Sequence, residues 1–525
     1  MLRDPAGDAE PNGGAEPNGS AEPVGDPGLD GSAGLAGGGA EPAAEARAPA
    51  APARLTGRLG TGSIVFMVIA AAAPLTVVGG NVPLAIANGP GAGAPVGFAL
   101  ASLILLIFAV GFVTMTPYVR QAGAFYAYAT RGLGDRIGMG TAAVALVTYT
   151  AIQAGVYGYL GWAVNSVLAD FGGPTGTPWW VWSLAAVGVV AFLGYRHIEL
   201  SSKVLGVALV LEIAVVAVLD AVILGQGGDS GVNADSFTPD AALSGPLGVA
   251  VLFALTGFIG FESTAVFRSE ARDPDRTIPR ATYCAVLVIG AFYTLSCWAL
   301  VLGAGTDKVS AVAGKSLADG GNMLMDAAGA YVGTALRDVM QVLLLTSLFA
   351  CVLSFHNVIA RYAFTLSGQG SGLPGQGSGT GVLRRLGAVH PRHRSPYVSS
   401  LAQTGTAVVL VLLFAALGVE PLVGVFGSMA GVSTVGMVLL MLTTSIAVLA
   451  FFARHRDLAA GRTWHTRIAP LLAVAGLLTG LWLVVSNFTL ITGGSVGVSV
   501  ALGAIPFAAF LAGCAGRAYR AMGTR

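Results

Sequence analysis

Residues 61–85 read TGSIVFMVIAAAAPLTVVGGNVPLA. The stretch is long and apolar enough to cross the hydrocarbon of a bilayer as a helix, which takes about 20 residues. Pro74 nevertheless stands near its middle, and Gly79 and Gly80 follow. Proline removes an amide donor and clashes with the preceding turn, and each glycine weakens a helix by about 1 kcal/mol. In hydrocarbon a freed carbonyl or amide must find another partner, so a break at this depth is tolerable where it is packed or lines a wet cavity. Residues 245–267, GPLGVAVLFALTGFIGFESTAVF, repeat the pattern with Gly257 and Gly260 just past the centre. A kink or a close helix contact accounts for one such segment; two together ask for more.

Outward from these segments, apolar stretches follow one another: 61–86, 95–117, 137–168, 178–195, 202–225, 244–267, 281–304, 336–366, 398–418, 422–453, 468–491 and 496–515. The lengths of 137–168 and 336–366 require tilt or bending, and 422–453 is long enough to begin with a short outer helix. Only 10% of the 525 residues are charged and 54% are hydrophobic, with a mean hydropathy of +0.74. Soluble domains carry about 25% charge. The fold class expected is therefore an all-α polytopic membrane protein with twelve transmembrane helices, and disordered, collagen-like and disulfide-scaffold classes are excluded. With the N-terminus inside, Lys308, Lys315 and Arg337 fall outside, and the other 25 of the 28 basic residues fall on inner loops and tails. That is a strong positive-inside bias, and it places both termini in the cytoplasm.

Residues 1–54 are rich in Gly, Ala, Pro and acids and lack aromatics, so they read as a disordered cytoplasmic tail with no apolar signal-peptide core. Residues 516–525 read as a second cytoplasmic tail. The loop at 368–379 contains GQGSG twice; without a flanking strand it reads as a flexible linker, not a phosphate cradle. The four cysteines, Cys284, Cys297, Cys351 and Cys514, make no CxxC and read as buried hydrophobes. A net charge of +1 gives no reason to expect nucleic acid as a partner.

Breaks in the first and sixth spans, five spans apart, have the spacing of a five-plus-five inverted repeat with its substrate site between paired discontinuous helices. Half-helix N-termini offer amides and a positive dipole end to a carboxylate. That chemistry favours a small anionic or zwitterionic substrate and fits an α-amino acid.

The residues also resemble a known family. Gly257-Phe258-Ile259-Gly260-Phe261-Glu262, followed by SEARDPDRTIPRA at 269–281, is similar to the sixth-helix signature of the amino acid–polyamine–organocation permeases. AGAFYAYATRGLG (122–134) and HPRHRSPYVSS (390–400) resemble the family's segments after helix 2 and before helix 9. The resemblance, over about 55–515, implies the leucine-transporter-type fold with discontinuous helices 1 and 6. Repeat one would cover about 61–225, repeat two about 244–453, and two extra helices about 468–515. It implies a permease of the cytoplasmic membrane working by alternating access without a cofactor or catalytic residues.

By that likeness Ala73, Pro74, Leu75, Thr76, Val77 and Gly79 are substrate-binding candidates on helix 1, with Phe253, Ala254, Thr256, Gly257 and Phe258 on helix 6. Phe253 or Phe258 would gate the site. Glu212 aligns where several proton-coupled members carry a lysine, so it is expected to exchange a proton or, with Ser347 or Ser354, to coordinate sodium. A structural carboxyl is the plain alternative. Asn357, with Arg361, resembles inner-gate scaffolding.

Few titratable side chains lie within spans: Glu212, Asp220, Glu262 and His356. Glu212 stands eleven residues beyond Ser201, about 16 Å along a helix from the inner surface. A bare carboxylate there costs several kcal/mol, so it is expected to be protonated, paired or facing water. Asp220 is expected as a solvated vestibule charge, and Glu262 to pair with a cytoplasmic arginine or serve the inner gate. His356 is expected as a core histidine or a proton relay. With one histidine inside a span and no HExxH, neither a metal site nor an enzyme is expected. The reading is a proton-coupled amino acid transporter, with an exchanger, a polyamine carrier or a nutrient sensor as alternatives.

Overall fold

A computed structural model describes residues 60–119, 124–174, 176–196, 202–266, 271–366, 386–388, 396–493 and 495–523. The tail read at 1–54 and the GQGSG loop lie outside these residues. Among them every assigned element is helical. Ten helices are long and apolar enough to cross a membrane, which makes the chain a multi-pass membrane protein. The segments expected at 178–195 and 244–267 form shorter apolar helices, Trp179–Tyr195 and Leu247–Thr256.

The first segment contains α1 (Thr61–Ala72), α2 (Pro74–Thr76) and α3 (Val82–Asn88), with a π-helical turn at Val77–Asn81 between the last two. Then come α4 (Ala94–Met115), α5 (Ala124–Leu133), α6 (Asp135–Asp170), α7 (Trp179–Arg196) and α8 (Ser202–Gln226). The second broken segment comprises α9 (Leu247–Thr256) and α10 (Ser263–Val266). After α11 (Pro274–Ala304), a short hairpin, α12 (Val309–Ala318) and α13 (Met323–Tyr331), leads to α14 (Thr334–Leu366). The chain continues through α15 (Tyr397–Ala416), α16 (Gly427–Arg454), α17 (Ala469–Ser486) and α18 (Val496–Gly523). The short outer helix expected before α16 is instead a π-helical turn, Pro421–Phe426, capped by the Glu420 carboxylate and continuous with α16.

The long helix α6 packs against α14, α16 and α18. Small residues allow the close approach: a Cβ at Gly436 would lie 2.1 Å from the Thr148 hydroxyl, and one at Gly140 2.6 Å from the Cys514 sulfur. Buried amides tie the same region together, with Gln153 donating to the Val352 carbonyl (2.8 Å) and Gln403 to Gln153 (2.6 Å). Such bonds matter in a membrane because an unmet amide there has no water to turn to.

Candidate functional site

The first break falls at Ala73, one residue before the proline. Ala73 is left-handed (φ 47°), a conformation that a side chain disfavours. Pro74 then begins α2 at a position whose amide would have no helical acceptor anyway. Gly79 and Gly80 do not break the chain. They lie in the π-helical turn, where a Cβ at Gly80 would come within 2.8 Å of the Tyr159 ring. Asn322, at the start of α13, donates to the Gly79 carbonyl (2.8 Å) and fastens the hairpin to this turn.

The second break runs from Gly257 to Glu262 as successive tight turns, with Phe258 bonded to Leu255 (3.2 Å), Ile259 to Thr256 (3.1 Å) and Phe261 to Phe258 (3.1 Å). Gly260 has φ +112°, which only glycine adopts readily. The two breaks meet. A Cβ at Gly257 would stand 2.8 Å from Val77, and Asn81 donates to the Phe253 carbonyl (2.8 Å). The Tyr293 hydroxyl on α11 lies 3.2 Å from the Ala72 carbonyl and 3.4 Å from the Gly257 carbonyl, one donor shared between the two breaks.

Between the breaks is a cavity of about 30 Å³, room for about one water. Of the residues singled out in the sequence, Ala73, Thr76, Val77 and Thr256 line it. The remaining wall comes from Ala71, Ala72, Asn81 and Ile259 of the broken segments, from Ile152 and Val156 on α6, from Cys351 and Phe355 on α14, and from Phe426. Pro74, Leu75, Gly79, Phe253, Ala254, Gly257 and Phe258 are buried around the breaks but do not line this cavity. The aromatic rings on the cavity are Phe355 and Phe426, whereas Phe258 is stacked edge-on against Tyr293 and Phe253 is buried.

Glu212 is 5% exposed and reaches the first break. Its carboxylate accepts from Ser347 (2.9 Å), whose oxygen in turn accepts from Thr76 (3.1 Å). A row of hydroxyls therefore connects Glu212 to the wall of the small cavity. The Leu75 backbone amide, at the start of α2, is directed at the same carboxylate. Ser354 stands apart. It is exposed and seven residues beyond Ser347, about 10 Å along α14, so it does not reach Glu212.

Among the described residues Glu262 meets a tyrosine and a backbone amide, where an arginine partner was expected. Among the described residues its carboxylate accepts from the Tyr149 hydroxyl and from the Gly260 amide (3.0 Å), and it is buried. Position near a loop suggested an ion pair; the turn at Gly260 folds the side chain inward instead. Tyr149 also stacks with Phe355 and lies against Tyr362, linking Glu262 to the cavity wall. Asp220 is likewise buried, not solvated: Ser296 donates to one oxygen (2.6 Å), and α11 covers the face expected to meet water. His356 is buried against Ser400 (2.8 Å), with Asn357 half-buried beside it.

The residues that sequence reasoning missed are Tyr293, Asn81, Tyr149 and Cys351. A polar handle in an apolar span was the available signal for the first three. Nothing in the sequence marked Cys351 apart from the other cysteines.

Comparison with known proteins gives a sequence profile described as amino acid permease, matching residues 63–516. An uncharacterized transporter of Mycobacterium tuberculosis is 28% identical over 42% of this chain and 50% of that protein. An uncharacterized transporter of Rhizobium meliloti is 26% identical over 57% of this chain and 60% of its own length. The low-affinity putrescine importer PlaP of Escherichia coli is 21% identical over 40% and 46% respectively. The chain spans about half the length of the curated relatives it matches.

Proposed function

The chain belongs to the amino acid permease family, and from that premise we propose that it is a secondary active transporter. In this reading it takes up an amino acid across the cytoplasmic membrane by alternating access, coupled to protons. The observation that carries the reading is the meeting of two broken helices around a small cavity, with a buried carboxylate joined to that cavity through hydroxyls. The proposed architecture is the twelve-helix, five-plus-five inverted repeat over 55–515, with repeats at about 61–225 and 244–453. The ten long apolar helices and two shorter ones at the expected positions support it. Both termini are proposed to be cytoplasmic, from the distribution of arginine.

The substrate site lies between the breaks, with Thr76, Val77 and Thr256 on its wall. No acidic or basic side chain is on that wall among the described residues. An uncompensated charge in such surroundings costs several kcal/mol. A zwitterion can place its two opposite charges on backbone amides and carbonyls at the breaks; a diamine finds no carboxylate on this wall for either of its two positive charges. The name of one relative, a putrescine importer, favours an amine substrate, but the uncharged wall favours an amino acid with a neutral side chain. A cavity of about 30 Å³ must expand to admit it, so substrate entry involves movement of α1, α10 or the rings of Phe355 and Phe426.

Coupling runs through Glu212. Protonation removes the charge that orients the Ser347 hydroxyl and faces the start of α2, and Ser347 then rebalances its bond with Thr76 at the substrate wall. Glu262 with Tyr149, and His356 with Asn357, belong to the inner gate. The test is accumulation of labelled neutral amino acids in proteoliposomes with an inwardly directed proton gradient. Accumulation should vanish when the gradient is collapsed. Glu212→Gln should retain binding and lose accumulation; wild-type pH dependence in that variant rejects the coupling role. Uptake that ignores the gradient but needs internal substrate identifies an exchanger instead.

A further inference from the structure

A roomier cavity stands outside the breaks. It lies beside Glu212, between α1, α8 and α14, and measures about 330 Å³. A proton needs no such room, and a bare metal ion needs about that of one water. Pockets of about 300–1,000 Å³ with apolar walls and a few fixed polar groups are the kind that hold small organic molecules. Here the walls are mostly apolar, including Ala70, Ala208, Phe349 and Ala350, with Glu212 as the single charged side chain and Ser347 beside it.

Exposure of the neighbouring residues indicates how the cavity is reached. On α8, Val207 (62% exposed) and Leu211 (47%) directly precede Ala208 and Glu212. On α14, Val342 (51%) lies one turn before Thr346, an exposed residue of the cavity wall. In a membrane-spanning chain, exposed valine and leucine at these positions face acyl chains, so the bilayer borders the cavity on both helices. A ligand entering from that side carries an apolar body. A buried carboxylate on the wall selects a positive head, since a buried charge is tolerable only when paired.

We infer that this cavity binds an amphiphilic organic cation, a molecule with one ammonium group and an apolar body, entering laterally from the bilayer with its ammonium on Glu212. Binding itself does not depend on transport. Its consequence does rest on the proposed coupling role: an ammonium held on Glu212 displaces the coupling proton and inhibits uptake.

The experiment uses the full chain in lipid nanodiscs and follows thermal stability against n-octylamine concentration. The comparison compounds are n-octanol and octanoate, which keep the chain but not the positive charge, and putrescine, which keeps charge without the apolar body. Octylamine should stabilise the protein saturably, with the others requiring at least about tenfold more or showing no effect. Glu212→Gln should raise the octylamine midpoint at least about tenfold, equivalent to about 1.4 kcal/mol. Ala350→Phe, which fills the cavity and leaves the carboxylate in place, should abolish the effect and serves alone if the glutamine variant does not fold. Equal binding of octanol marks a lipid-chain slot and overturns the inference. So do putrescine binding as tight as octylamine, a wild-type midpoint in Glu212→Gln, or no stabilisation at all. Amino acid uptake by the same purified protein in proteoliposomes separates the two readings. Absent octylamine binding with intact proton-driven uptake sinks only this site; intact binding without any amino acid uptake sinks only the transport reading.

Discussion

Replacing Ser347 by alanine removes a single oxygen, but that oxygen makes two bonds. It donates to Glu212 at 2.9 Å and accepts from Thr76 at 3.1 Å, and it is the bridge between the carboxylate and the substrate wall. A hydrogen bond to a charged group contributes about 1.5–3 kcal/mol net, and a neutral one about 1 kcal/mol. Loss of the first corresponds to a factor of about 10 to 150 between alternative arrangements of the site. Ser347→Ala should therefore lower proton-driven accumulation at least about tenfold and flatten its dependence on external pH. Counterflow exchange, which needs the substrate site but no net proton movement, should change far less. Ser347→Thr, which keeps a hydroxyl, should recover accumulation; a purely structural serine would not separate accumulation from counterflow in this way. The assay is steady-state accumulation and counterflow in the same proteoliposomes at several external pH values. Normal accumulation by Ser347→Ala, with the wild-type pH profile, refutes the hydroxyl bridge as a coupling element.

Two further substitutions address the breaks. At Gly257 a Cβ would lie 2.8 Å from Val77 and 3.2 Å from Tyr293, whereas carbon atoms prefer about 3.5–4.0 Å. Gly257→Leu should insert and elute as wild type but lose substrate binding at least about tenfold, because overpacking of about 1–3 kcal/mol forces the breaks apart; undiminished uptake rejects the site. Tyr149→Phe leaves the Glu262 carboxylate with the Gly260 amide as its remaining partner among the described residues. The variant should lose about 1–3 kcal/mol of stability, seen as a lower Tm, and adding Glu262→Gln should restore part of it. A wild-type Tm in Tyr149→Phe contradicts that account of the gate.

Much of the helical arrangement could be read in the chain because hydropathy and a missing amide are local properties. Pro74 announced a break, and the chain turns one residue earlier, at Ala73. Gly79 and Gly80 misled in detail: they serve contact with Tyr159 inside a π-helical turn, since lack of a side chain permits close packing as readily as it loosens a helix. The partners of buried acids were less legible. Glu262 and Asp220 looked like loop and vestibule charges, but Tyr149 and Ser296 lie 113 and 76 residues away, and nothing local encodes such pairings. Glu212 was picked out by its depth, and its bond to Ser347 joins two residues named from sequence. Ser354 shares that helix but lies too far along it. The cavity rings were the hardest to foresee. Phe253 and Phe258 belong to the broken segment, yet Phe355 and Phe426 arrive from other helices to face the space.

The most direct test of where substrate binds uses Cys351, whose side chain lines the cavity between the breaks. Its modification by a small methanethiosulfonate can be followed by peptide mass spectrometry in the wild-type protein, with and without an amino acid that the same preparation transports. Substrate at ten times its Kd should slow the reaction at Cys351 about tenfold by mass action, while modification of the exposed Cys284 stays unchanged. An unaltered rate at Cys351 under saturating substrate contradicts a site between the two broken helices.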